Sequence, residues 1–356
     1  MRYTARQIED AARHFLTASG SDEYEADIVA RHMLEANLRG HDSHGIGMTA
    51  MYADYLKKGQ LKPNTPPTIE QDRGAVLQFN GNLGYGQRAG YEATKIAIER
   101  AKETGVCLYT IKHSCHLGRI GTYGEQAAAA GMVSIHFVNV NQYDPLVAPY
   151  CGSAARFGTN PFCCAMPATD KHGPFILDFA TSLVAMGKTR VAYLAKKHFD
   201  EPVMLTTEGI PTTDPSVMWH QPRGALMAFA KHKGSGLAFA CELMAGLLSG
   251  GGTIQPGHSR DGSIVNNMTA FVIDPAVLTD MDFLKNEMDA MIDYVKSSPA
   301  PDPVNHPVLS PGESERMRRE DRLAHGVEIS EGEALAIRRA AEGFGVPEEH
   351  LLPMPC

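Results

Sequence analysis

The chain has 356 residues, 43% of them hydrophobic and 21% charged, with a formal net charge of −8 and no run of lysine or arginine. This balance excludes disordered and fibrous classes, and argues against a general nucleic-acid or anionic-membrane surface. The length is enough for two lobes, each around its own core.

The longest apolar stretches, such as 237–248, contain Glu242 and fall short of a membrane span. The polar start Met1-Arg2-Tyr3-Thr4 has no apolar signal core, so the cytoplasm is the expected compartment. Seven cysteines, at 107, 115, 151, 163, 164, 241 and 356, include no CxxC pair and read as free thiols in a reducing environment.

The first elements read as helices. Thr4 and Gln7 form a capping box, and Ile8, Ala11, Ala12, Phe15 and Leu16 then fall on one face. A second helix spans about 21–38 and stops at Gly40. A third carries Met48, Met51, Tyr52, Tyr55 and Leu56 on one stripe and stops near Gly59. A Pro-containing linker, 62–67, follows. From Ala75 short apolar runs (75–79, 106–111, 133–140, 162–165, 175–179 and 269–273) alternate with helical segments such as 89–101 and 233–248. A Pro-rich connection, 299–311, leads to a charged segment and a last helix at 331–343. The expected fold is α/β: a lobe at 75–298 around a mainly parallel or mixed sheet, and a helical lobe made from both chain ends, 1–74 and 299–356.

Several polar clusters stand out. Asp42-Ser43-His44-Gly45 precedes the third helix, where Asp42 or Ser43 serves as a cap. The positive end of that helix would favour neutral His44, which suits proton transfer near neutral pH. His116-Leu117-Gly118-Arg119-Ile120-Gly121 joins a strand to a helix, and reads either as an anion cradle or as an ordinary turn. Arg119 could contact phosphate or carboxylate. His113-Ser114-Cys115-His116 lacks a second ligand cluster, so no metal is expected.

Gly81-Asn82-Leu83-Gly84-Tyr85-Gly86 has the wrong glycine order for a dinucleotide fingerprint, and no acidic residue follows at the expected interval. Arg156 and Thr159 flank a turn, Gly158 to Pro161, that carries polar groups to a sheet edge. Asp178 ends an apolar run and calls for a partner if buried. Lys233 opens a long apolar helix, an unfavourable place for a cation unless an anion binds there.

Taken together, Gly40–Gly45, His116–Gly121, Phe157–Pro161, Leu177–Ser182, Gly187-Lys188, Pro211–Pro215 and His232–Gly234, in this order, resemble the malate/L-lactate dehydrogenase family that lacks a Rossmann fold. Pro311-Gly312-Glu313 is similar to its C-terminal pattern. Within the family the resemblance is nearest to bacterial hydroxycarboxylate dehydrogenases. It implies a homodimer with the active site near the subunit interface, NAD or NADP as cofactor, and a small 2-oxo or 2-hydroxy acid as substrate.

The resemblance also implies roles. Ser43, His44 and Asp178 match a proton-relay set, and His116 matches a proton acceptor in ureidoglycolate dehydrogenase. The two assignments compete, and His44 is the preferred donor to the substrate oxygen. His116, Leu117, Gly118, Arg119 and Ile120, with Asp178, Phe179, Ala180, Lys233 and Pro311, Gly312 and Glu313, would hold the dinucleotide. Many relatives carry arginine where this chain has Met48. Arg119 or Arg156, beside Thr159, would then grip the substrate carboxylate, and Met48 with Tyr52 would suit an alkyl or aryl group. Two other readings stand beside this one: reduction of a cyclic imine carboxylate, and a non-catalytic dinucleotide sensor.

Overall fold

The computed structural model describes residues 1–194 and 196–354. The chain opens with β1 (Arg2–Tyr3), α1 (Ala5–Ala18), α2 (Glu23–Leu38) and α3 (Thr49–Lys57), followed by β2 (Thr68–Arg73), β3 (Val76–Asn80) and α4 (Gly86–Thr104). β4 (Val106–Cys115), α5 (Gly121–Ala129), β5 (Val133–Asn141), β6 (Phe162–Met166) and β7 (Phe175–Phe179) complete the first pass through the sheet. Then come α6 (Met186–Leu194), three short strands β8 (Met204–Leu205), β9 (Pro211–Thr212) and β10 (Ala225–Leu226), and α7 (His232–Leu248). The chain finishes with β11 (Val265–Ile273), α8 (Met281–Lys296), α9 (Glu313–His325), β12 (Val327–Glu328) and α10 (Glu331–Glu342).

The two chain ends build one helical core. The Thr4 capping box starts α1, whose buried face is Ile8, Ala11, Ala12, Phe15 and Leu16. That face joins Val29 and Met33 of α2, Tyr52 of α3 and Ile337 of α10 in a single apolar cluster. β1 and β12 pair antiparallel, and the Met1 ammonium donates to Ile329 O at 2.8 Å. The ends are thus fastened by backbone bonds as well as by side-chain burial.

The second core lies under a seven-stranded sheet of order β2-β3-β4-β11-β5-β6-β7. Among the described residues β3–β4 is its one parallel pair; the other neighbours run antiparallel. The sheet is therefore mixed, and its order is not that of a doubly wound dinucleotide fold. Ala93, Ala97 and Ala101 of α4 pack on Leu77, Phe79, Tyr109 and Ile111. Small residues at the i, i+4 and i+8 positions let the helix lie close to the sheet.

Two elements stand apart from these cores. β2 is exposed at all six positions, and its charged sequence has no alternation to read, so pairing with β3 makes it a strand. α8, capped by Asp280, buries only Ile292, and its apolar stripe of Leu284, Met288, Met291, Ile292 and Val295 lines an open cavity beside Phe175 of β7. No described helix is long and apolar enough to cross a membrane. Six cysteines are free, and Cys356 lies outside the described residues.

Candidate active site

The loop carrying His44 is pinned from below. Asn37, buried near the end of α2, accepts from Ile46 N–H at 2.8 Å and donates to Asp42 Oδ1 at 2.7 Å. Arg322 of α9 donates to both Asp42 oxygens, at 2.7 and 3.1 Å. A β-carbon on Gly45 would stand 2.2 Å from Asn37 Oδ1, so only glycine allows this approach. The cap reading of Asp42 is corrected: α3 starts at Thr49 after a separate turn, Ile46–Met48, and Asp42 is held by Asn37 and Arg322 instead. His44 ends its own short turn, Asp42–His44. It does not sit on a helix N-terminus, and its neutral form has another cause.

That cause is burial beside other cations and histidines. His44 Nδ1 lies 3.2 Å from His116 Nε2, with the rings nearly parallel at 17° and 5.2 Å between centroids. On the far side His116 Nδ1 meets Tyr52 Oη at 2.9 Å, and Gln87 Nε2 of α4 donates to the same phenol oxygen at 2.5 Å. His116 is 7% exposed and Tyr52 1%. Burial first, then His41 and Arg119, pushes His44 down to about 3. Burial, His44 and His32 hold His116 well below its ordinary value. Both imidazoles are neutral at physiological pH, since desolvation penalises the charged ring. Tyr52, read from sequence as a substrate contact, has its hydroxyl engaged by His116 and Gln87.

Two backbone N–H groups of the turn after β4 are engaged by the protein itself. Leu117 N–H donates to Asn266 Oδ1 at 2.8 Å, Arg119 N–H donates to His32 Nε2 at 2.9 Å, and Leu117 O accepts from Tyr123 at 2.5 Å. Leu117, Arg119 and Ile120 are all buried. The glycines serve packing. Gly118 has φ +71°, and a β-carbon there would meet His32 Nε2 at 2.3 Å; one at Gly121 would meet both Arg119 Nη2 and Asp178 Oδ2 at 2.6 Å. Arg119 is likewise not free for a substrate carboxylate. Its guanidinium, 1% exposed, lies 3.0 Å from Glu125 and 3.4 Å from Asp178. A buried arginine needs those two counter-charges.

Asp178 therefore faces Arg119, and among the described residues no hydrogen bond joins it to His44 or His116. It lies at the end of β7, where Asp178, Phe179 and Ala180 are half-buried. Thr181 N–H donates to Thr159 O at 2.9 Å and fastens the turn 158–161 to this strand end. Asn160 donates to Glu242 of α7 at 2.8 Å, and burial pushes the Glu242 carboxyl up. Phe179 packs on Phe229 at 5.2 Å, which brings the start of α7 to the same rim. Lys233 is exposed there and makes no ion pair with the described residues.

Ser43 is exposed, and its β-carbon lies 3.2 Å from where a β-carbon on Gly187, near the start of α6, would stand. Met48 is half-buried against the helical core. Pro311 O accepts from Ile176 N–H at 3.1 Å, and Glu313 accepts from Lys296 at 2.5 Å, so this segment borders β7 from the other side. Arg156 is exposed beside a cavity of about 530 Å³ that Phe157, Phe239 and Arg260 also line. Among the described residues no group of three or more His, Cys, Asp or Glu side chains is placed to hold a metal ion.

The sequence reading missed Gln87, His32, Asn37 and Arg322. His32 alone carried a signal, as a histidine on the apolar face of α2; burial pushes it down to about 3. Gln87 and Arg322 are polar residues whose partners come from distant segments, and Asn37 bonds a loop whose path the sequence does not fix.

The family model for malate/L-lactate dehydrogenase matches residues 3–338. Hydroxycarboxylate dehydrogenase B of Escherichia coli O157:H7 is 41% identical over 352 residues, 98% of this chain and 96% of the relative. L-lactate dehydrogenase of Cupriavidus necator is 39% identical, covering 89% of each chain. The structure of sulfolactate dehydrogenase from Methanocaldococcus jannaschii superposes with a TM-score of 0.84 at 29% identity, over 99% of this chain and 100% of that one.

Proposed function

The chain belongs to the malate/L-lactate dehydrogenase family, and we propose that it is an NAD- or NADP-dependent dehydrogenase interconverting a small 2-oxo acid and its 2-hydroxy acid. The observation that carries this reading is the neutral, hydrogen-bonded pair of His44 and His116, 3.2 Å apart. Ketone reduction needs a proton at oxygen as well as a hydride at carbon, and an imidazole is the side chain suited to that transfer near neutral pH. The relatives named for hydroxycarboxylates and for L-lactate support the substrate class.

The nicotinamide cofactor supplies the hydride. His44 gives the proton to the substrate oxygen in reduction and takes it back in oxidation. His116 backs His44, and with Leu117, Gly118, Arg119 and Ile120 it would help hold the nicotinamide cofactor. Ser43 and Asp178 complete the set, Asp178 by neutralising Arg119.

The start of the 17-residue α7, with Lys233 in no ion pair among the described residues, fits an anionic ligand; the strand end Asp178–Ala180 would border it, the Asp178 charge offset by Arg119. Pro311, Gly312 and Glu313 border that strand. Arg156, with an exposed head group, is the arginine left for the substrate carboxylate, beside Thr159, and Met48 offers an apolar contact. The protein works as a homodimer in the cytoplasm. The exposed apolar side chains Phe239, Leu247 and Leu248 on α7 support a partner surface, and the six free cysteines support a reducing compartment.

The test is turnover of NADH or NADPH, followed by near-ultraviolet absorbance, with pyruvate, phenylpyruvate, oxaloacetate and a cyclic imine carboxylate. Oxidation of either cofactor by a 2-oxo acid is expected. Turnover with the imine alone would make the protein an imine reductase. Cofactor binding with no turnover on any of them would make it a sensor.

A further inference from the structure

Behind the histidine pair runs a chain of hydrogen bonds that ends at one amide. We propose that Gln87 and Tyr52 are positioning residues that fix which nitrogen of each histidine carries the proton. This rests on the proton-transfer role proposed for the pair.

The amide nitrogen of Gln87 can only donate, so the Tyr52 oxygen accepts from it at 2.5 Å. The single phenol proton then has one acceptor within reach, His116 Nδ1 at 2.9 Å. Because burial keeps His116 neutral, its own proton lies on Nε2 and points at His44 Nδ1, 3.2 Å away. His44, also neutral, is left with its proton on Nε2, the nitrogen that this chain of bonds does not use. The chain therefore presents an N–H to the substrate oxygen; as that proton leaves, the His116 and Tyr52 protons each move one place along the chain, so neither ring becomes an imidazolate and the phenolate oxygen that remains accepts from Gln87.

Nothing else in the surroundings imposes this order. Gln87 is fully buried, and its Oε1 has no hydrogen-bond partner among the described residues. This orientation leaves the amide oxygen unpaired, where the reverse would leave both N–H groups of the amide unpaired, the rarer and costlier arrangement in a buried site. Were the oxygen turned to Tyr52 instead, every bond in the chain would reverse, and His44 would present a bare lone pair. One buried amide thus sets whether the pair offers a proton or accepts one.

Histidine-¹⁵N-labelled protein, without ligand, reports the tautomers directly by two-bond nitrogen–proton NMR correlations. Wild type is expected to show Nε2–H for both His116 and His44. In Gln87→Met and in Tyr52→Phe, His116 should become a mixture of tautomers. In both variants kcat should fall about tenfold, the worth of one net hydrogen bond, with KM and cofactor affinity within about twofold of wild type.

An Nδ1–H tautomer of His116 in wild type overturns the proposal, and so does a tautomer unchanged in both variants. If Tyr52→Phe does not fold, wild type and Gln87→Met decide. The NMR result needs no turnover. Shifted tautomers in a protein inactive on every 2-oxo acid would reject the proposed function and leave this inference standing; active protein with unshifted tautomers would do the reverse.

Discussion

The His44–His116 pair and the rim formed by β7 and the start of α7 are neighbours in function and opposites in construction. The pair is finished in the ligand-free protein: each ring has a partner, the loop beneath is pinned by Asn37 and Arg322, and burial holds both imidazoles neutral. The rim is unfinished, with a half-buried strand end at Asp178–Ala180 and an exposed, unpaired Lys233. The difference follows from what each must do. A proton-transfer group gains from preorganisation, because reorienting it during reaction adds to the barrier. A surface for a large charged ligand must leave donors free until that ligand arrives.

The contrast predicts that substitutions in the two regions separate chemistry from binding. His44→Ala should lower single-turnover hydride transfer by about 10²–10⁴, the usual worth of general acid catalysis, with cofactor affinity little changed. If His116→Ala alone abolishes the chemical step while His44→Ala reacts normally, the roles of the two histidines are exchanged.

At the rim the expected effect is smaller and of the other kind. Lys233→Ala should weaken dinucleotide binding by about 1.5–3 kcal/mol, the range for a hydrogen bond to a charged group, and leave the rate at saturating cofactor close to wild type. Titration calorimetry checks it; unchanged affinity would remove Lys233 from the cofactor site and with it the main support for the rim as that site.

A further effect, outside the two regions, concerns acid stability. His32, His44 and His136 are each held down to about 3 by burial. A depressed pKa in the folded state means that the unfolded chain binds protons first. Stability is therefore complete above about 6.5, the ordinary histidine value, and declines as pH falls towards 3. Each such histidine contributes a slope of up to about 1.4 kcal/mol per pH unit in that window. His136, in β5 and hydrogen-bonded to Ser134 at 3.0 Å, lies outside the pair. His136→Gln should flatten the acid limb of denaturant-measured stability without changing turnover. An equal effect on turnover would mean that the pair is coupled to the sheet core and is not locally built.

Sequence determined the parts of this protein that rest on local pattern. The capping box and apolar stripe of α1, the apolar runs of the central strands and the small-residue face of α4 could be read directly, because period and capping act within one segment. His44 and His116 were legible as candidates through short motifs, and the family through their order. Tertiary structure decided what those residues face. It engaged Asp42 with Asn37 and Arg322, placed Arg119 between Glu125 and Asp178, closed the turn after β4 with Asn266 and His32, and put Tyr52 behind His116 with Gln87. Apart from Asn37 with Asp42 and Arg119 with Glu125, these contacts join segments far apart in the chain. Burial, which sets the charge of the histidines and the need of Arg119 for two carboxylates, exists only once those segments have packed.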